Sequence, residues 1–144
     1  MAQHVFVLNG PNLNLLGTRE PDVYGHATLS DIEQSMRHAA PELKIEFRQT
    51  NSEGQLVDWI QEASAQADHL IINAGAYTHT SIAVHDALRA CDARIIEVHL
   101  SNPAARESFR HINYVAPCAE GSIAGFGAHG YLLALQAILA GNSE

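Results

Sequence analysis

Basic side chains are scarce in this 144-residue chain: eight Lys and Arg stand against sixteen Asp and Glu, for a net charge of -8. That balance argues against a general nucleic-acid or anionic-membrane surface, although a few arginines inside a cleft still suit a small anionic substrate. Lysine occurs only as Lys44, within the alternating run KIEFR. A Schiff-base mechanism would therefore depend on one residue that reads as part of a strand. Cys91 and Cys118 form no paired metal or redox motif and are too few for a disulfide scaffold, which fits a reducing compartment. No apolar run reaches the roughly 18 residues that span a bilayer, and no signal-like segment opens the chain. A soluble, cytoplasmic protein is expected. The histidines lack HExxH spacing and a recognisable set of partner ligands, so no metal is expected, and a GxSxG elbow and a Walker loop are missing as well. GFGAHG, Gly125 to Gly130, satisfies GxGxxG, but the chain ends before a following strand and ribose-binding acid. It reads as a tight strand-to-helix connection.

What is present is enough apolar residue, 47%, for one sizeable core, so residues 1–144 are expected to form a single domain. Val5 to Leu8 reads as a strand buried on both faces. Thr28 or Ser30 suits the start of a helix that must end before Pro41. Leu43 to Arg48 alternates as a strand with one wetter face. Ser52 opens a helix to about Ala65, with Leu56, Ile60 and Ala63 at core-facing spacing. Leu70 to Asn73 and Arg94 to Leu100 read as strands around a helix in SIAVHDALRA. A short strand at Ser122 to Ala124 and a helix from Gly130 to Ala140 complete the chain. Repeated strand-helix units predict an α/β flavodoxin-like three-layer sandwich around a five-stranded parallel sheet. Such sheets bind ligands beyond their strands' carboxyl ends. Asn9 and Asn12, Asn73 and His79, and His99, Ser101 and Asn102 all fall at those ends, so three segments are expected to converge on one pocket.

Between the first strand and the first helix lies NGPNLNLLGTREPDVYG, Asn9 to Gly25, longer than a plain connection requires. Arg19 and Tyr24 within it suit a lid in which a guanidinium favours the phenolate and the phenolate abstracts a carbon-bound proton. They equally suit an exposed loop. Glu97 and His99 point to the same side of a strand, so the carboxylate can orient an imidazole general acid. A satisfied buried histidine is the plainer alternative. Asn73 and His79 can recognise oxygen groups, and Thr80 and Ser81 start a helix whose amides either hold an anion or are merely capped. Asp86 faces solvent or a neighbouring chain. A helical RESFR segment would present Arg106 and Arg110 on one face, for an anion, for solvent or for a subunit contact.

Taken together, NGPNLNLLGTREPDVYG, LIINAGAYTHTS, IEVHLSN, RESFRH and the closing GFGAHGYLLAL resemble type II 3-dehydroquinate dehydratase, over about Val5 to Ala140. The resemblance implies a flavodoxin-like fold, no cofactor, and a dodecamer built as four trimers. It also implies trans-dehydration of 3-dehydroquinate to 3-dehydroshikimate through an enolate, in aromatic biosynthesis or in quinate catabolism. By residue, it implies that Tyr24 is the base at C2 and that Arg19 favours its phenolate. Asn12 and an ordered water would stabilise the enolate, and His99, oriented by Glu97, would protonate the departing C1 hydroxyl. Asn73, His79 and the backbone of Leu100 and Ser101 would bind substrate. Arg110 would contact a ring hydroxyl, and Asp86 would come from the adjacent subunit of a trimer. Arg106 is expected to organise the site or its subunit contacts.

Two departures from the family pattern stand close together: Ile112-Asn113 replaces the more usual His-Ser, and Ser108 stands where proline is frequent. They bear on local hydrogen bonding and packing rather than on a central catalytic group. A flavodoxin-like ligand-binding domain without chemistry, or another cofactor-free lyase acting on a different hydroxy-keto acid, are the competing readings.

Overall fold

The computed structural model describes residues 3–18 and 20–142. Five strands, β1 His4–Asn9, β2 Lys44–Gln49, β3 His69–Asn73, β4 Arg94–His99 and β5 Gly121–Ala124, form one sheet in the order β2-β1-β3-β4-β5. Every neighbouring pair is parallel. The order steps outward in both directions from β1 and β3, which creates a crevice at their carboxyl ends, where the connections leave toward opposite faces.

The central strands are apolar at successive positions because both faces of the sheet are covered. On one face Val5, Val7, Ile71 and Val98 pack against Ile32 and Met36 of α2 (Leu29–Ala39) and Leu135 and Ile138 of α5 (His129–Asn142). On the other, Phe6, Leu8, Leu70 and Ile72 meet Leu56, Ile60 and Ala63 of α3 (Glu53–Gln66) and Val84 and Leu88 of α4 (Ile82–Arg89). The helix starts follow capping chemistry. Thr28 and Asp31 form a reciprocal capping box, Thr28 Oγ1 accepting from Asp31 N at 3.1 Å and Asp31 Oδ2 from Thr28 N at 3.0 Å. Ser52 and Ser81 accept from Gln55 N and Val84 N.

The expected elements occur, with boundaries displaced by one or two residues. Two stretches differ. The loop after β1 contains a 3-10 turn at Leu13–Leu15 and a one-turn helix, α1, at Pro21–Tyr24. Proline at its first position supplies a ready-made helical φ and lacks only an N–H that would have had no partner. The RESFR segment is not a helix. Arg106 is extended, at φ -111° and ψ -161°, between 3-10 turns at Pro103–Ala105 and Ser108–Arg110. Asn102 closes the first of these turns by accepting from Ala104 N, a local bond that competes with a continuous helix.

Candidate active site

β1, β3 and β4 end at one level and open into a single cleft. It is lined from the β1 loop by Asn12 and Tyr24, from the β3 end by Asn73 and His79, and from the β4 end by His99, Leu100, Ser101, Arg106 and Arg110. The close approach of two loops at its floor requires glycine. Gly10 N donates to Asn73 O at 2.8 Å, and a Cβ on Gly10 would lie 2.3 Å from the Ala74 carbonyl oxygen. Asn12 sits in the left-handed region at φ 68°, held there by a bond from its N–H to Asn51 Oδ1 at 3.0 Å.

Under the cleft runs a buried chain of polar groups. Asn73 Nδ2 donates to Tyr131 Oη at 3.0 Å, Tyr131 Oη donates to Asn9 Oδ1 at 2.6 Å, and Asn9 Nδ2 donates to the Arg48 carbonyl at 3.0 Å. Gly75 N completes Asn73 by donating to its Oδ1. Full burial pushes the Tyr131 phenol above its ordinary value, against the opposing effect of the Asn73 bond, so Tyr131 stays a neutral donor. Asn73 thereby reaches the cleft with its amide orientation settled.

The β4 wall carries the imidazole. His99 Nε2 lies 2.6 Å from Glu97 Oε2, and Glu97, 1% exposed, also accepts from Asn113 Nδ2 at 2.8 Å and Ser122 Oγ at 2.7 Å. Burial opposes the Glu97 charge, but the bond and charge of His99 and the bonds from Ser122 and Asn113 outweigh it and hold the carboxyl below its usual value. His79 stacks beside His99 with ring centroids 6.4 Å apart. Its Nδ1 donates to the Ile112 carbonyl at 2.7 Å. Burial lowers its proton affinity, and the positive charges of His99 and Arg110 add to this against the Ile112 bond and Glu97. With Nδ1 donating, a neutral His79 has Nε2 as its acceptor nitrogen.

The β1 loop brings the phenol of Tyr24 to the same cleft. Arg106 Nη1 donates to Tyr24 Oη at 2.7 Å and to Ser101 Oγ at 3.3 Å, with its guanidinium carbon 5.2 Å from the Tyr24 ring centre. A cation bonded to a phenol oxygen stabilises negative charge there. Arg110 donates from Nε to Glu107 at 3.2 Å. The Leu100 carbonyl accepts from Gly127 N at 2.9 Å, and Leu100 and Ser101 both line the cleft.

Of the residues singled out from sequence, Asn12, Tyr24, Asn73, His79, His99, Leu100, Ser101 and Arg110 line the cleft, and Glu97 stands directly behind His99. Arg19 lies outside the described residues. Asp86 is exposed on α4 and does not line the cleft. Ser81 is spent on capping, and Thr80 Oγ1 contacts Ala76 O at 3.4 Å, so the start of α4 serves itself. Sequence reasoning missed Asn113, Ser122 and Tyr131 as partners, and assigned Arg106 only a general organising part. Strand register carried a signal for Ser122, which pairs with Glu97. Asn113 stood out only as a departure from the family pattern.

Residues 3–139 match the family described as dehydroquinase class II. The chain is 63% identical over 139 residues to the 3-dehydroquinate dehydratase of Hyphomonas neptunium, covering 96% of this chain and 95% of that protein. It is 58% identical over 142 residues to the 3-dehydroquinate dehydratase of Brucella canis, covering 97% and 90%. The crystal structure of the type II dehydroquinase from Propionibacterium acnes superimposes with a TM-score of 0.91 at 44% identity, covering 96% of this chain and 97% of that one.

Proposed function

Since the chain belongs to the dehydroquinase class II family and is thereby a hydro-lyase acting on 3-dehydroquinate, we propose that it eliminates water by a trans route without a cofactor, dividing base and acid between the two walls of its cleft. Tyr24, as phenolate, takes a C2 proton beside the ketone. Asn12 and an ordered water hold the resulting enolate oxygen. His99, as imidazolium, gives its proton to the C1 hydroxyl, which leaves as water while the enolate collapses to 3-dehydroshikimate. Each proton thus has one donor and one acceptor, and both pair-forming charges stay inside the cleft.

The observation that carries this reading is the pairing of each group with its electrostatic partner. A phenol is bonded to a guanidinium in Tyr24 and Arg106, and an imidazole to a buried carboxylate in His99 and Glu97, at one cleft. Asn73, His79, Arg110, and the amides of Leu100 and Ser101 bind the hydroxyls and carboxylate of the substrate. Arg19 assists Tyr24 from the same loop.

The reading extends to assembly. Asp86 enters the cleft of an adjacent subunit in a trimer, four of which form a dodecamer. Supporting this, Ile82, one turn before Asp86, is 58% exposed, and Phe109 and Ile112 beside the cleft are 60% and 54% exposed, more apolar surface than a lone chain needs there. Sedimentation of the protein at falling concentration, with activity read in parallel, tests it: activity persisting in a monomer rules out a partner's Asp86. Among the described residues no helix is long and apolar enough to cross a membrane. The enzyme acts in the cytoplasm, in the shikimate pathway toward aromatic amino acids, with quinate breakdown as the other use of the same elimination.

The deciding experiment is ultraviolet-monitored turnover of 3-dehydroquinate by the native protein, Tyr24→Phe and His99→Ala. Formation of the conjugated enone carboxylate by the native protein, and its loss in both folded variants, supports the division of labour. Undiminished turnover in either variant overturns the role given to that residue.

A further inference from the structure

The Asn113 amide is held at both ends. Its Oδ1 accepts the backbone N–H groups of Val115 and Ala116, each at 2.8 Å, so the NH2 end alone is left for Glu97, where Nδ2 donates to Oε2 at 2.8 Å. Oε2 therefore meets a group that can only donate. The same oxygen lies 2.6 Å from His99 Nε2, with one proton between them, while Ser122 Oγ occupies Oε1 at 2.7 Å. A carboxylate that receives an amide N–H is favoured as the anion, which leaves the shared proton on the imidazole nitrogen. Nδ1 is then the nitrogen of His99 that is free to exchange a proton with substrate.

We propose that Asn113 is a positioning residue for the reaction: clamped by the turn at 115–116, it fixes Glu97 as an anion, sets neutral His99 as its Nε2–H tautomer, and so makes Nδ1 the nitrogen that delivers the proton. Asn113 itself touches neither substrate nor the reacting atoms. The proposal rests on the reading of His99 as the general acid and adds which nitrogen acts and what selects it. It also gives a physical role to the Asn that stands in place of the family's more usual Ser.

Other groups bear on His99 and must be kept constant in any test. They are His79, whose ring lies 6.4 Å away, Glu97 on the same strand, Ser122 on the neighbouring one, and Arg106, Arg110 and Tyr24 around the cleft. Of these, Glu97 alone is hydrogen-bonded by Asn113, so it is the group through which a change at position 113 acts.

The test combines nitrogen-15 NMR of the His99 ring with pH profiles of kcat in native protein, Asn113→Asp and Asn113→Ser. The native ring, once neutral, is expected to carry its proton on Nε2; a proton on Nδ1 overturns the proposal without any variant. Asn113→Asp keeps the acceptor for both backbone N–H groups but sets a second carboxyl against Glu97, so the pair must share a proton. While that proton is held, the introduced group donates as the amide did, and kcat stays near native. As rising pH removes it, repulsion displaces Glu97, the tautomer becomes mixed, and kcat falls about tenfold relative to native at the same pH. Asn113→Ser, which keeps a hydroxyl donor, restores the Nε2–H signature. An unchanged tautomer in Asn113→Asp across the pH range, with a profile parallel to native, overturns the proposal. The NMR readout needs no substrate, so it decides the clamp even where turnover by His99→Ala has removed the general-acid reading.

Discussion

Tyr24 ends a one-turn helix in the long loop after β1 and remains half-buried, whereas His99 closes the buried strand β4 and is 7% exposed. Their supports differ in the same way. Tyr24 Oη meets Arg106 from another loop, while His99 is backed by Glu97 on its own strand, with Ser122 from β5 and Asn113 behind that. The His99 side, the proposed acid, is thus built into the sheet, and its hydrogen bonds to Glu97, Ser122 and Asn113 are complete without substrate. The Tyr24 side, the proposed base, is carried by connections, the kind of segment that in enzymes with lids moves to admit substrate and exclude water. Precision sits where charge must be held in the dry interior, and adaptability where the substrate enters.

Removing the two groups proposed to react breaks the comparison most severely. Tyr24→Phe and His99→Ala are each expected to lower kcat by about 10² to 10⁴, the usual span for a positioned acid or base. Tyr24→Phe should leave thermal unfolding nearly unchanged, because phenylalanine keeps the ring that packs against the core beside Leu13 and Leu16 and removes only the hydroxyl of a half-buried residue. His99→Ala should also destabilise, since Glu97 keeps its burial and loses a partner. Single-turnover absorbance and calorimetry separate the two results; equal stability losses would erase the distinction between rigid and adaptable walls.

Arg106→Ala tests the loop side alone. Without the Arg106 guanidinium at the phenol oxygen, kcat is expected to fall by about tenfold to a hundredfold, from the loss of a charged hydrogen bond of about 1.5–3 kcal/mol. Steady-state kinetics at constant pH measure this, and unaltered activity would remove Arg106 from the base's support. Tyr131→Phe tests the sheet side beneath the cleft. It deprives Asn9 Oδ1 and Asn73 Nδ2 of their shared hydroxyl and should cost about 1–3 kcal/mol in urea unfolding. KM should rise more than kcat falls, because Asn73 loses its orientation while the acid and base keep theirs.

The smallest effect is in the pH dependence of stability. Burial lowers the proton affinity of both His69 and His79 in the folded protein. The unfolded chain therefore binds more protons at these sites as pH falls below about 6.5, and stability drops across that window and on toward the lower folded values. Replacing His69 by glutamine should flatten part of this slope in chemical unfolding between about pH 7 and 5, leaving the part due to His79. A slope unaltered by the change would show that His69 gains no penalty for protonation on folding.

The strands were legible because apolar runs such as VFVL and LIIN have no other reading at that length, and the helices because Thr28, Ser52 and Ser81 are capping residues placed before core-facing periodicity. The RESFR helix was misread because i,i+4 spacing says which residues would share a face, not whether the backbone adopts a helix, and Asn102 with Pro103 redirects it into 3-10 turns. The Glu97 and His99 pair was legible from alternation alone, being two residues apart on one strand. Its outer partners were not: Asn113 and Ser122 stand 16 and 25 positions from Glu97 in sequence, and nothing local announces them.

The sequence by itself determined which chemical groups the chain owns and, through strand length and periodicity, that most of them lie at the carboxyl ends of parallel strands. Local propensity and side-chain alternation act over a few residues, so they are readable in one dimension. Tertiary structure alone decided that Arg106, 82 positions away, brings a guanidinium to Tyr24, and that Tyr131 joins Asn73 to Asn9 across 58 and 122 positions. Those contacts exist because a twisted parallel sheet brings its strand ends together and drains water from between them, and the polar groups left inside must then find partners among whatever the fold has placed within about 3 Å.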